Sequence, residues 1–221
     1  EQQGLPVVPF FSVTPEQASD PAFTNLEARV KKEFSYPVFV KPSRAGSSVG
    51  VSKAGTPEEL QKALETAFQY DTVCLVEPAV KGREIECSVT GNQDAVSYAI
   101  GEILPSHEFY DYEAKYIDPD GAGLVIPADI SEDTKRGVKE IAEKAYKSIY
   151  SQGYARVDFF IEQESNRILL NEINTIPGFT SISMFPMLCS ENGLGYSSLL
   201  DLLIQLGIER YELRKGLQYG V

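Results

Sequence analysis

ARVDFFIEQESNRILLNEINTIPGF, residues 155–179, holds two strand-like runs around a polar turn. Ala155–Glu162 and Arg167–Asn174 flank Gln163–Asn166, so the segment reads as a β-hairpin. Strand side chains alternate between faces, which groups Arg156, Asp158 and Phe160 on one side and Leu170, Glu172 and Asn174 on one side. A symmetric register sets Asp158 opposite residue 171 or 172. Only the pairing with Glu172 brings both polar sets to a common face, and it also sets Arg156 beside Asn174.

Carboxylates opposed across a strand pair repel each other unless a cation lies between them. Asp158, Glu172 and the Asn174 carbonyl are hard oxygen donors, suited to Mg2+ held jointly with phosphate. Arg156 is placed to neutralise charge on a phosphoryl group in transfer. The pattern also fits a solvated polar face carrying an Arg–Asp pair. After Asn174 the chain turns through Pro177-Gly178, where exposed backbone N–H groups permit close approach to a ligand.

Upstream, Pro37–Lys41 reads as an apolar strand ending in lysine, followed by the small-residue loop RAGSSVG at Arg44–Gly50 and a short strand at Val51–Lys53. A lysine beside backbone N–H groups and serine hydroxyls can grip phosphate, although no GxxxxGK[ST] motif is present. A Gly/Ser-rich surface turn is the competing reading. Asn25–Phe34 forms one helix; Thr56 caps another, with Pro57 at its first position and Leu60, Ala63, Leu64, Ala67 and Phe68 in one stripe. Thr72–Glu77 is a strand ending in a carboxylate, and Glu84–Thr90 pairs with Ala95–Leu104 through Gly91-Asn92. Ser106–Pro127 is long and irregular, and loops of this length are usually functional lids or else disordered. Ser131 caps a further helix, and Ser197–Leu206 forms the last. Mixed elements without βαβ alternation give an α+β fold.

The 221 residues carry 32 acidic and 20 basic side chains, a formal charge of -12, which argues against broad nucleic-acid or anionic-membrane binding. Three cysteines in no metal-binding spacing read as free thiols, and the single His107 excludes histidine-based zinc clusters. No apolar run is long enough to span a membrane and no signal peptide is visible, which predicts a cytoplasmic protein. The opening Gly4–Val13, GLPVVPFFSV, reads as a strand entered in mid-domain without an initiator methionine, predicting a piece of a longer chain.

VKPSRAGSSVG at 40–50, VEPAVKGREIECSV at 76–89, FYDYEAKY at 109–116, ARVDFF at 155–160 and NEINTIPGFTSISMFP at 171–186 resemble, in order, the D-alanine–D-alanine ligases of the ATP-grasp superfamily. The resemblance implies α+β lobes whose antiparallel sheets clasp ATP: residues 1–83 as the central subdomain, and 84–221 as the C-terminal subdomain with a lid over about 105–127. It further implies Lys41 on the ATP phosphates, Glu77 and the backbone near Val80 on adenine, Glu84 on ribose, and Phe109 and Phe160 by the base. Lys115 would reach the phosphates, and Tyr116 would close with Ser47 on the peptide site. Asp158, Glu172 and Asn174 would hold two Mg2+ (or Mn2+). Arg156 and the Gly178 N–H would stabilise the oxyanion, and Ser183 with the Met184 N–H would grip the second substrate's carboxylate.

The implied reaction joins two D-alanines for peptidoglycan precursor synthesis, supporting cell wall and cell shape. The first carboxylate attacks the γ-phosphate of ATP to give an acyl phosphate, which the second amine attacks. The residues Ser-Met-Phe-Pro after Gly-Phe-Thr resemble the dipeptide-forming branch, with D-serine as an alternative acceptor. The partners implied are ATP and D-alanine, with a homodimer for the full-length protein. The family's amino-terminal domain is not matched here, so an inactive nucleotide-binding fragment is one rival reading. Another carboxylate–amine ATP-grasp ligase is the other.

Overall fold

Period-two apolar runs and amphipathic helices assort into two antiparallel sheets in the computed structural model, which describes residues 2–19, 21–105, 122–180 and 182–218. The chain divides into two compact units, one built mainly on Val8–Lys81 and the other on Gly82–Leu104 with Leu124–Val221.

In the Val8–Lys81 unit, strands β1 (Phe11–Val13), β2 (Val38–Pro42), β3 (Ser52–Ala54) and β4 (Cys74–Pro78) form a sheet in the order β1-β4-β2-β3. A short α1 (Pro15–Ala18) precedes α2 (Phe23–Glu33), and α3 (Pro57–Ala67) follows β3. Thr56 caps α3 by accepting from the Glu59 N–H at 3.2 Å, with Pro57 in the first turn. Its apolar stripe is buried against the sheet, and Leu60 and Leu64 each contribute about 2 kcal/mol by leaving water.

Buried Asp71 fixes the loop that follows β2. Its carboxylate accepts from the Ser43 hydroxyl and the Arg44 N–H, each at 3.0 Å, from two nitrogens of the Arg44 guanidinium, and from the Val73 N–H at 3.2 Å. Within the loop Ser47 and Ser48 adopt left-handed φ of 54° and 58°, and Gly50 has φ 74°. A Cβ at Gly50 would lie 2.6 Å from the Tyr70 ring and 2.9 Å from Pro42, so no larger residue fits.

The second unit centres on a sheet in the order β7-β6-β5-β8-β9: β5 (Gly82–Gly91), β6 (Val96–Pro105), β7 (Ala122–Val125), β8 (Gly153–Glu162) and β9 (Ile168–Asn174). Helix α4 (Glu132–Ser148), capped by Ser131, covers one face; its Val138, Ala142, Ala145 and Tyr146 pack on Ile85, Cys87, Val89, Val157 and Phe159. The Tyr146 hydroxyl reaches the Gly91 carbonyl at 2.7 Å. Helix α5 (Met184–Glu191) lies at the other face, where the Ser88 hydroxyl donates to the Phe185 carbonyl at 3.0 Å. Helix α6 (Tyr196–Lys215) completes the order, and Leu199 joins Phe185 and Cys189 in a smaller core. Burial pushes the free thiols up, Cys74 to about 11 and Cys87 and Cys189 to about 12, which leaves them unreactive.

Several expectations change. Gly4–Val13 is not one strand: only Phe11–Val13 pairs in a sheet, and Val7 makes an isolated bridge to Leu170. Pro6 and Pro9 lack the N–H that a continuous ladder needs. The last helix runs well past Leu206, through Gly207, to Lys215. Helix α5 was not foreseen, because its residues are buried on all sides and show no amphipathic period. Within Ser106–Pro127, Ala122–Val125 is a strand. Residues 106–121, with His107, Phe109, Lys115 and Tyr116, lie outside the described residues.

The hydrogen bonds from Arg44 and Ser43 hold the Asp71 carboxyl well below the usual carboxylate range. A depressed pKa supplies stability that is present above the ordinary value, about 4, and lost as pH falls below it. Asp71→Asn is therefore expected to lower the melting temperature at pH 7, with the gap to the parent chain narrowing steadily as pH falls from about 4 towards 2. Thermal melts monitored by circular dichroism across that range check it.

Candidate functional site

Residues of β9 at positions 168, 170, 172 and 174 share one parity, yet they serve two environments. Ile168 and Leu170 pack in the core under α4, whereas Glu172 and Asn174 are polar and reach solvent. A regular strand cannot do both. The β8–β9 ladder resolves the conflict with a one-residue irregularity: Arg156 pairs with Asn174 and Asp158 with Glu172, but Phe159 pairs with Leu170, leaving Asn171 extra. The expected Asp158–Glu172 and Arg156–Asn174 pairings are present. Leu170, expected to share their face, turns instead to the core because of the bulge.

On the polar face Arg156 grips Asp158 through two nitrogens, Nε to Oδ1 and Nη2 to Oδ2, both at 2.7 Å. A third carboxylate stands beside them: Glu86 of β5 pairs in register with Asp158, and its Oε2 lies 3.2 Å from Arg156 Nε. Glu86 and Asp158 are buried. Burial disfavours the Arg156 cation, but Asp158, Glu86 and Glu172 together raise its pKa well above the usual value. In the same register Glu84 stands opposite Phe160.

Among the described residues no three His, Cys, Asp or Glu groups cluster closely enough to hold a metal by themselves. Asp158, Glu172 and Asn174 form a different kind of set, two carboxylates and an amide oxygen on one strand pair. Such a set fits Mg2+, which keeps several positions for phosphate oxygens and water.

Past β9, the loop through Gly178 folds around the Ser183 hydroxyl. Ser183 Oγ accepts from the Thr180 N–H at 3.0 Å and shares a 2.8 Å bond with Thr180 Oγ1. A Cβ at Gly178 would lie 2.8 Å from Ser183 Oγ, so a larger residue there would displace that hydroxyl. Ser183 is also the N-cap of α5, but its side chain makes no capping bond. The Met184 N–H thus stands in an uncapped first turn beside a hydroxyl, a pairing that suits a small carboxylate.

In the Val8–Lys81 unit, Lys41 and Glu77 share one face of β2 and β4, with Lys41 Nζ 2.8 Å from Glu77 Oε1. Both are mostly buried, and burial raises the Glu77 pKa against the lowering effect of Lys41. The two residues assigned by resemblance to phosphate and adenine thus form one ion pair. Ser47 lies in the left-handed stretch of the Asp71-pinned loop, and Val80 just beyond β4. Sequence reasoning missed Glu86 and Asp71. The alternation Glu84-Ile85-Glu86 was the available signal for Glu86, but it needed the β5–β8 pairing to become informative. Asp71 gave none, since the loop partners that define its role, Arg44 and Ser43, lie 27 and 28 residues away.

Residues 1–205 match the family model described as D-ala D-ala ligase C-terminus. The chain is 47% identical over 219 residues to a D-alanine–D-alanine ligase of Treponema denticola, covering 99% of this chain and 60% of that relative. It is 52% identical over 183 residues to one of Acetivibrio thermocellus, covering 83% of this chain and 48% of the relative. The solved D-alanine–D-alanine ligase of Coxiella burnetii superposes with TM-score 0.82 at 37% identity, covering 97% of this chain and 55% of that one. A D-Ala:D-Ser ligase of Enterococcus faecalis superposes with TM-score 0.81 at 35% identity, over 93% of this chain and 58% of that one. The chain spans about half to three-fifths of the length of these relatives.

Removing Lys41 leaves the Glu77 carboxylate buried without the counter-charge that lies 2.8 Å from it. Lys41→Met is expected to destabilise the fold by about 3 kcal/mol, and adding Glu77→Gln should restore most of that loss. Denaturant unfolding of the single and double variants checks it.

Proposed function

The chain belongs to the D-alanine–D-alanine ligase C-terminal family, with its ATP-grasp α+β fold, and from that premise we propose that it carries the ATP-dependent site of a D-alanine–D-alanine ligase. The observation that carries the reading is the Asp158–Glu172 pair opposed on one strand face with Arg156 beside it. In this reading the whole protein works with ATP and two D-alanines, as a cytoplasmic homodimer making peptidoglycan precursors.

Asp158, Glu172 and Asn174 would hold two Mg2+ (or Mn2+), which when bound neutralise phosphate charge. Lys41 contacts the phosphates, Glu77 and the Val80 backbone take adenine, Glu84 the ribose, and Phe160 with Phe109 the base. Lys115 and Tyr116 close over the site, with Tyr116 and Ser47 on the peptide side. The first D-alanine carboxylate attacks the γ-phosphate, and ADP departs from the acyl phosphate so formed. Activation is needed because a carboxylate is a poor electrophile and oxide a poor leaving group.

The free amine of the second D-alanine then attacks the activated carbonyl. Arg156 and the Gly178 N–H stabilise the oxyanion of the tetrahedral species, which expels phosphate. Ser183 and the Met184 N–H hold the second carboxylate, orienting its amine. The uncapped turn at Ser183 supports that role. D-serine is the second reading for the acceptor, favoured by the similarity to the Enterococcus faecalis D-Ala:D-Ser ligase.

ADP release with D-alanine, D-serine or D-lactate tests the reading: release and dipeptide with D-alanine support it, preference for D-serine moves the acceptor, and no release with any of them refutes it. In the whole protein Glu172→Gln is expected to lower kcat by about a thousandfold with the fold intact. Retained turnover would remove Glu172 from the site. Ser183→Ala should raise KM for the second D-alanine about tenfold, the cost of one hydrogen bond to a charged group; an unchanged KM removes Ser183 from that subsite.

A further inference from the structure

The roles above employ Glu84 and Arg156 but leave Glu86, a carboxylate only 5% exposed, without a function. Its neighbours in register are Asp158 on β8 and Gly101 on β6, so Asp158 is the only one of the two to present a side chain. Helix α5 covers Gly101 closely: a Cβ there would lie 2.7 Å from Met184 Sδ. A charged group in such a place is costly unless its charge is used.

The geometry of Arg156 suggests the use. Both nitrogens that bond Asp158 point at the two oxygens a metal ion would need. A guanidinium in a bidentate grip and a divalent cation compete for the same carboxylate lone pairs. With Asp158 as its single partner, Arg156 would be held more loosely when a metal bound. Its Nε, however, already lies between two carboxylates, 2.7 Å from Asp158 Oδ1 and 3.2 Å from Glu86 Oε2. Glu86 belongs to β5, on the side of Asp158 away from Glu172 of β9.

We propose that Glu86 is a positioning residue that retains the Arg156 guanidinium in the site when a divalent ion takes Asp158. The inference rests on the reading of Asp158 as a metal ligand. Asp158 thereby serves the metal, Glu86 serves the arginine, and the two cations occupy the polar face together. Without Glu86, a metal ion on Asp158 would weaken the bidentate grip that fixes the direction of Arg156.

The test follows the Arg156 Nε–Hε resonance in arginine-labelled protein, assigned by its loss in Arg156→Lys, with and without Mg2+ and ADP. In the parent chain the signal is expected to stay protected from solvent exchange in both states. In Glu86→Gln it should remain protected without Mg2+, held by Asp158, and exchange at least about tenfold faster once Mg2+ and ADP are added. Glu86→Asp should restore protection. The proposal is overturned if Glu86→Gln keeps the signal protected with Mg2+ and ADP. It is equally overturned if the signal is lost before Mg2+ is added, since Glu86 would then be a structural anchor. Calorimetry separates the underlying reading: if the parent chain binds no Mg2+ with ADP, the metal assignment fails and takes this inference with it.

Discussion

One strand, β9, has to satisfy two environments with residues of a single parity, and the polar site depends on how it does so. The core under α4 claims Ile168 and Leu170; the opposite face claims Glu172 and Asn174. Because strand side chains alternate strictly, an extra residue must be inserted between the two pairs, and Asn171 is that residue. Ile173 then returns to the core side. The bulge keeps two apolar pairs, Phe159 with Leu170 and Ile161 with Ile168, while aiming Glu172 at Asp158. Shift the bulge by one residue and either a leucine is expelled from the core or a carboxylate is driven into it.

The charges gathered beyond that bulge lie close together and mostly buried. Arg156 faces Asp158, Glu86 and Glu172, and burial alone would oppose its charge. Buried ion pairs seldom stabilise a fold relative to apolar packing, so this cluster is better explained by what it positions than by stability. The Lys41–Glu77 pair follows the same logic on its own sheet. In each case a cation is held by a strand carboxylate in a fixed direction, with little rotamer freedom left to lose.

What could be read from the residues follows from the range of the forces involved. The α3 helix, with Thr56, Pro57 and the stripe from Leu60 to Ala67, is written in local signals, and so is the hairpin turn at Gln163–Asn166. The register of Asp158 against Glu172 was legible because both strands lie in one hairpin. Glu86 was not, because β5 meets β8 across roughly 70 residues of sequence, a pairing set by nonlocal burial. Asp71 is invisible for the same reason: its role is to bind a loop far back along the chain. Helix α5 failed for a different one. Met184, Phe185, Pro186, Leu188 and Cys189 are all buried, so no polar face marks a period.

Ser183 shows how a local rule yields to a site. A serine before a helix ordinarily turns its hydroxyl forward to a free N–H of the first turn, an arrangement worth about 1 kcal/mol. Here the hydroxyl turns back to Thr180 and shapes the loop over Gly178. The eight-residue helix that follows gives up its cap, although Phe185 and Leu188 are buried deeply enough to hold it in place. Packing has taken over the task that capping performs elsewhere. Pro186, the third residue of the helix, has no N–H to be capped, so the Met184 and Phe185 N–H groups are the first-turn donors, and the serine keeps a lone pair and a fixed direction. A threonine or aspartate that capped the helix in the usual way would strengthen α5 and occupy the first-turn N–H that Ser183 leaves uncapped.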